Sequence, residues 1–143
     1  MKRTLMLCFV SVIMAGCSYG EMTLANKINQ ACGDKPNCVS TIDQREPYRI
    51  APLMLKPNVT INQIEQVALE LPGATTVEIK PTYLHIECTS KVMRFVDDLE
   101  LKIESQQLIV RSESRIGYSD FGVNRKRTDQ LRQLLEKADL INR

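Results

Sequence analysis

A period of two in hydrophobicity runs through the middle of this 143-residue chain, and it calls for a sheet. Val77 and Ile79 alternate with polar residues. Leu84, Ile86 and Cys88 alternate with Tyr83, His85 and Glu87. Leu99, Leu101 and Ile103 alternate with Glu100 and Lys102, and Leu108 and Val110 with Ile109 and Arg111. Successive side chains of a strand point to opposite faces, so each run reads as a strand with one buried face. The connections are short, which favours an antiparallel meander of four strands. Val96 and Leu99 are out of phase by one residue, which places a bulge at Asp97-Asp98.

Helical spacing flanks this region on both sides. Thr60-Ile61-Asn62-Gln63 has the spacing of a capping box. Ile61, Ile64, Val67, Ala68 and Leu71 follow on one helical face, and Pro72-Gly73 stops the helix. A last helix, from about Asn124 to Asp139, carries Leu131, Leu134, Leu135 and Ala138 at spacings of three and four. Residues 18–58 hold Pro36, Pro47, Pro52 and Pro57 with little periodicity and read as an irregular segment lying over the domain. The fold class is therefore α+β: a four-stranded antiparallel meander with two helices on one face and an irregular N-terminal segment.

The start of the chain has a different character. Lys2 and Arg3 precede an apolar stretch from Leu5 to Met14, broken only by Ser11. A basic start, a short apolar core and small residues at its end are the parts of a secretory signal. A bilayer-spanning helix needs about 20 apolar residues, more than this stretch supplies. Met14-Ala15-Gly16-Cys17 resembles the lipobox of bacterial lipoproteins, in which the cysteine thiol is joined to diacylglycerol before cleavage; Leu is commoner than Met at its first position. The division expected is a signal peptide over 1–16, a tether over 17–31 with Cys17 lipidated, and one α+β domain over 32–143. Several acyl chains hold a protein at a membrane where one binds only reversibly. Ser18, rather than Asp, after the cysteine points to the outer membrane, with the domain facing the periplasm. The formal charge of +2 belongs entirely to Lys2 and Arg3. The chain from Cys17 onward is neutral and gives no electrostatic reason to bind nucleic acid.

Cysteine use fits an oxidising compartment. Cys32 and Cys38 flank Gly33-Asp34-Lys35-Pro36-Asn37, a segment of turn formers that brings two cysteines together, and a disulfide is the expected outcome there. The alternative is a metal site of these cysteines with His85 and Cys88. Positions three apart on a strand point to opposite faces, so His85 and Cys88 diverge. Cys88 shares a face with Leu84 and Ile86 and reads as a buried free thiol. No metal and no cofactor are expected.

Cys32, Pro36-Asn37-Cys38-Val39-Ser40, Phe95-Val96-Asp97-Asp98-Leu99-Glu100 and the long polar block from Arg111 to Arg127 resemble domain-of-unknown-function family 1499. Its members are small proteins of bacterial envelopes and plastids. The block reads Arg-Ser-x-Ser-Arg-x-Gly-Tyr-Ser-Asp-x-Gly-x-Asn-Arg-x-Arg. Thr41-Ile42-Asp43 departs from the serine and aromatic positions frequent in the family. The resemblance implies a domain and no particular reaction.

Arg111 and Arg115 fall on one strand face, Ser112 and Ser114 on the other. Asp120 or Asn124 is placed to cap the last helix, whose first turn carries free N–H groups and partial positive charge. Arg125 and Arg127 stand beside that end, a combination suited to a carboxylate or phosphate. Two readings stay open: a binding surface, or a structural network in which Asp97, Asp98 and Glu100 pair with the arginines. The leading expectation is a non-catalytic envelope domain that binds an envelope protein or small anionic ligand through Arg111, Ser112, Ser114, Arg115, Asp120, Asn124, Arg125 and Arg127. The alternative is a small hydrolase or transferase using His85 or Asp97/Asp98. Against it, His85 is the only histidine and reads as a lone exposed imidazole without a nucleophile motif.

Overall fold

The computed structural model describes residues 26–142. The signal sequence, the lipobox and Cys17 lie outside the described residues.

Four long strands form the expected meander: β3 (Ala74–Lys80), β4 (Tyr83–Thr89), β5 (Val96–Glu104) and β6 (Gln107–Ser114), each antiparallel to the next. The strand number expected from the sequence is too low, because the proline-rich segment adds two more. β1 (Cys38–Ser40) and β2 (Leu53–Met54) both pair with the free edge of β6, giving a six-stranded sheet among the described residues. At three and two residues they are too short to show a period. Between them Thr41 holds the edge of β6: its N–H donates to the Val110 carbonyl, and its Oγ1 accepts from the Val110 N–H at 3.0 Å. An edge divided in this way offers little to a foreign strand.

The expected bulge at Asp97-Asp98 is absent. β5 stays in register with β4 from Val96 to Lys102, and with β6 from Asp97 to Glu104. Asp97 simply shares the face of Leu99 and Leu101, while Asp98 shares that of Glu100. The irregularity lies in β3 instead, between Thr76 and Glu78. Val77 falls in that register shift and is half exposed, and Ile79 is 41% exposed. These two alternating residues therefore do not mark a buried face; β3 is an edge strand.

Both helices, α1 (Ile61–Ala68) and α2 (Val123–Lys137), cover one sheet face. Ile61, Ile64, Val67, Leu131 and Leu135 pack on Leu84, Ile86, Leu99, Leu101, Leu108 and Val110 in one core. The capping box at α1 is formed: the Gln63 N–H donates to Thr60 Oγ1 at 3.4 Å, and the Thr60 N–H to Gln63 Oε1 at 2.9 Å. The chain then turns at Gly73, at φ +71°, where an added Cβ would lie 2.1 Å from the Thr89 carbonyl oxygen. The helix-free face is only partly covered. Ile28, Tyr83 and Ile109 form a small second cluster there, so residues assigned to a tether reach the sheet. Cys32 and Cys38 form the expected disulfide, with an S–S distance of 2.01 Å, and Cys88 is a free thiol buried under the helices.

Candidate functional site: a charged cavity on the helix-free face

Strand register decides what this face carries. Tyr83, Lys102 and Ile109 stand side by side on β4, β5 and β6; His85, Glu100 and Arg111 form the next row, and Glu87, Asp98 and Glu113 the third. Directly opposed residues share a face, so every second residue of three strands converges on one polar patch. The disulfide loop and Lys27 wall it in. The result is a cavity of about 450 Å³ whose lining includes Lys27, Lys35, His85, Asp98, Glu100, Arg111, Glu113, Ser114 and Arg115.

His85 is 5% exposed, which corrects the expectation of an exposed imidazole. The side chain that alternation places on the polar side is closed in beside Asp98 and the arginine that holds it. Its Nε2 lies 2.7 Å from Asp98 Oδ1. Arg115 grips the same carboxylate twice, Nε to Oδ2 at 2.9 Å and Nη2 to Oδ1 at 2.7 Å, and also reaches Glu87. Burial pushes the Asp98 carboxyl up, but the hydrogen bonds and charges of Arg115 and His85 outweigh it and hold it at about 2. In return, Asp98 above all holds the Arg115 guanidinium more firmly protonated.

Glu100 accepts from the Lys27 backbone N–H at 3.0 and 3.2 Å and from the Tyr83 hydroxyl at 2.7 Å. Burial, and then that bond, push the Tyr83 phenol well above its ordinary range. Glu113 accepts from Arg111 Nη1 at 2.7 Å and Lys27 Nζ at 3.1 Å. Burial works against its ionisation, and these two cations reverse the balance downward. The acids of the cavity are thus occupied. One donor is not: the Nε of Arg111, a residue only 3% exposed, is buried without a hydrogen-bond partner among the described residues. A charged group left so is costly.

The structure divides the polar block between two faces. Arg111 and Arg115 line the cavity, whereas Ser112, Asn124 and Arg127 meet under α2. There Ser112 Oγ and Arg127 Nη1 both donate to Asn124 Oδ1 at 2.6 Å, and Arg127 Nη2 reaches Asp97 Oδ2 at 2.6 Å. Ser114 lines the cavity but also lies 2.9 Å from the Asn124 amide nitrogen. The N-cap of α2 is Gly122 rather than Asp120 or Asn124, but Asp120, two residues before it, accepts from the Gly122 and Asn124 N–H groups at 2.9 and 2.8 Å. The positive helix end is therefore already answered by a carboxylate of the chain. Arg125 donates to the Arg49 and Pro47 carbonyls at 3.0 and 2.9 Å and pins the proline-rich loop to the helix. Asp97 and Asp98 stand on opposite faces and do not act as a pair.

Lys27, Tyr83, Glu87 and Glu113 complete the site, and sequence reasoning did not single them out as its members; Glu100, expected to pair with the arginines, is held instead by the Lys27 backbone and the Tyr83 hydroxyl. The signal was present in the polar half of each alternation, but their meeting depends on register between strands. Among the described residues no cluster of His, Cys, Asp or Glu is arranged to hold a metal ion, and no helix is long and apolar enough to cross a membrane.

No match was found among curated proteins or among solved structures. Residues 30–135, from the disulfide loop to the last helix, match the model of a family described as protein of unknown function (DUF1499). The chain belongs to that family.

Proposed function

We propose that this is a lipid-anchored envelope protein whose domain binds a small anionic ligand, a carboxylate or a phosphate, in the cavity on the helix-free face. The observation that carries the reading is Arg111: a buried guanidinium with one N–H unanswered, in the wall of a cavity of about 450 Å³. That volume falls in the range of small-molecule sites. Arginine presents its donors in a fixed fork suited to planar or tetrahedral oxyanions. Lys35, on the disulfide loop at the rim, is exposed and supplies a further cation. Thermal melts of the full-length protein with inorganic phosphate and with mono- and dicarboxylates test the binding. Ligand at one hundred times its Kd stabilises by about 2.7 kcal/mol, and Arg111→Lys should remove that gain while leaving a folded protein. Melts unmoved by any of these anions would sink the reading.

A second reading rests on the His85–Asp98 contact of 2.7 Å. A carboxylate orienting an imidazole is the arrangement of a general base, and Ser114 lines the same cavity. A hydrolase or transferase built on it would use His85 and Asp98, with no part for Asp97. Turnover of activated ester or phosphate substrates, lost in His85→Gln, is its test.

A further inference from the structure

Two loops meet at one end of the sheet, Ser90–Phe95 before β5 and the stretch from Arg115 to Gly122 before α2. Phe95, Ile116, Phe121 and Val123 line a shared groove of about 260 Å³ between them. Phe121 is 90% exposed, Val92 87% and Tyr118 72%, and Met93 and Ile116 are exposed as well. Large contiguous apolar surface on a folded domain marks a contact site.

Charge identifies what the site contacts. Lys91, Arg94 and Lys126 are exposed around this end. The one carboxylate in the two loops, Asp120, is engaged by the N–H groups at the start of α2. Apolar side chains at the tip with cations behind them match a bilayer surface, where acyl chains lie beneath anionic headgroups. A tyrosine such as Tyr118 suits the boundary between the two. The opposite end of the sheet lacks this character; its turns read Lys80-Pro81-Thr82 and Ser105-Gln106.

We propose that these two loops insert into an anionic bilayer surface, setting Phe121, Ile116 and Val92 at the top of the acyl region and Lys91, Arg94 and Lys126 against lipid phosphates. This rests on the reading that the chain is held at a membrane. The nine residue-to-residue steps from Cys17 to Asn26 span at most roughly 30 Å, so an anchor at Cys17 keeps the domain within reach of the surface.

The chain contains no tryptophan, so a single introduced one reports its own surroundings. Full-length Phe121→Trp and Met54→Trp are mixed with phosphatidylglycerol–phosphatidylethanolamine vesicles carrying brominated acyl chains. Met54 is 45% exposed and sits on β2, beside Gln107, away from the loops. Phe121→Trp should shift to the blue and be quenched, and Met54→Trp should do neither. In the Cys17→Ser chain, which lacks the acyl chains, Lys91→Glu and Arg94→Glu should weaken vesicle partition by about tenfold or more, since each cation near an anionic surface is worth roughly fivefold. Equal quenching at the two positions, or none at Phe121→Trp, would overturn the proposal. So would a Phe121→Trp emission already blue before lipid is added, which would mean that the N-terminal segment or a second copy fills the groove. Repeating the quenching in the Cys17→Ser chain reads loop depth without the lipid, so failure of the anchor and failure of insertion are separate results.

Discussion

Arg127 on α2 places its Nη2 2.6 Å from Asp97 Oδ2 on β5, and both side chains are about nine-tenths withdrawn from solvent. The pair ties the helix to the sheet on the core side. Arg115, twelve residues earlier, makes the corresponding grip on Asp98 from the other face. Adjacent aspartates are thus held by two arginines of the same polar block, one serving the fold and one lining the cavity.

Replacing Arg127 with Ala should be costly. It leaves Asp97 buried without its cation and deprives Asn124 of a donor, and breaking a buried pair costs about 3–5 kcal/mol. For a domain of this size that lowers the midpoint of thermal unfolding by on the order of 10 °C. Arg125→Ala removes only half-exposed bonds to two carbonyls and should cost about 1 kcal/mol or less. Melts of the two single variants separate these outcomes; similar midpoints would show that Arg127 is not a structural anchor.

Gly73→Ala is expected to be more damaging than a surface change of one methyl group suggests. The residue sits at φ +71°, and its new Cβ would meet the Thr89 backbone, which itself donates to the Gly73 carbonyl at 3.0 Å. Backbone, unlike a flexible side chain, has little room to yield. Strain of this kind should cost roughly 3 kcal/mol or more, measurable by urea denaturation.

How far the sequence was legible depended on range. The capping box at Thr60, the helical face from Ile61 to Ala68 and the alternation of β4, β5 and β6 are local patterns, and the structure obeys them. The Cys32–Cys38 bridge closes a short loop and was legible for the same reason. Val77 and Ile79 misled because alternation marks a buried face only where something covers it, and β3 runs out at the edge. His85 misled in the opposite sense: a polar alternation position was covered by residues from distant parts of the chain. The division of the Arg111–Arg127 block comes from period two, which separated Arg111 from Ser112. Its consequence for Arg125 and Arg127 depended on where α2 docks, and no local pattern encodes that.

Cys88 should resist alkylation in the folded protein and react after denaturation. Burial raises its thiol above the ordinary value, against the opposing charge of Arg127, and the thiolate is the reactive form. Mass mapping of alkylated, unreduced protein should find Cys32 joined to Cys38 and Cys88 modified only in denaturant. Rapid native labelling would indicate that the helices open readily over β4.

Cys17→Ser tests the anchor. If the lipobox reading holds, the variant loses its acyl chains and either keeps its first sixteen residues or is released. Mobility on gels and detergent partition of envelope fractions report both. Unchanged processing and partition would remove the anchor from the account while leaving the cavity untouched.

Acid should unfold the domain through a small set of carboxylates. Asp98 is held at about 2 by Arg115 and His85 in spite of burial. Asp43 is held at about 2 chiefly by its hydrogen bond to Arg45, with the Cys32 N–H also donating to it at 3.0 Å. In the unfolded chain both protonate near 3.8, their ordinary value. Protons therefore bind the unfolded state first as the pH falls. Stability from these groups is complete above about pH 5, declines from about pH 4 to 2 and is gone below, at on the order of 2 kcal/mol for Asp98 and less for Asp43, whose partner Arg45 is screened by solvent. Urea melts at pH 7, 4, 3 and 2.5 should show that fall. Asp98→Asn should be less stable at pH 7 and lose stability less steeply below pH 4, the remaining slope coming from Asp43 and Glu113. A variant as steep as the parent would mean that Arg115 and His85 do not hold Asp98 in solution as they do in the structure.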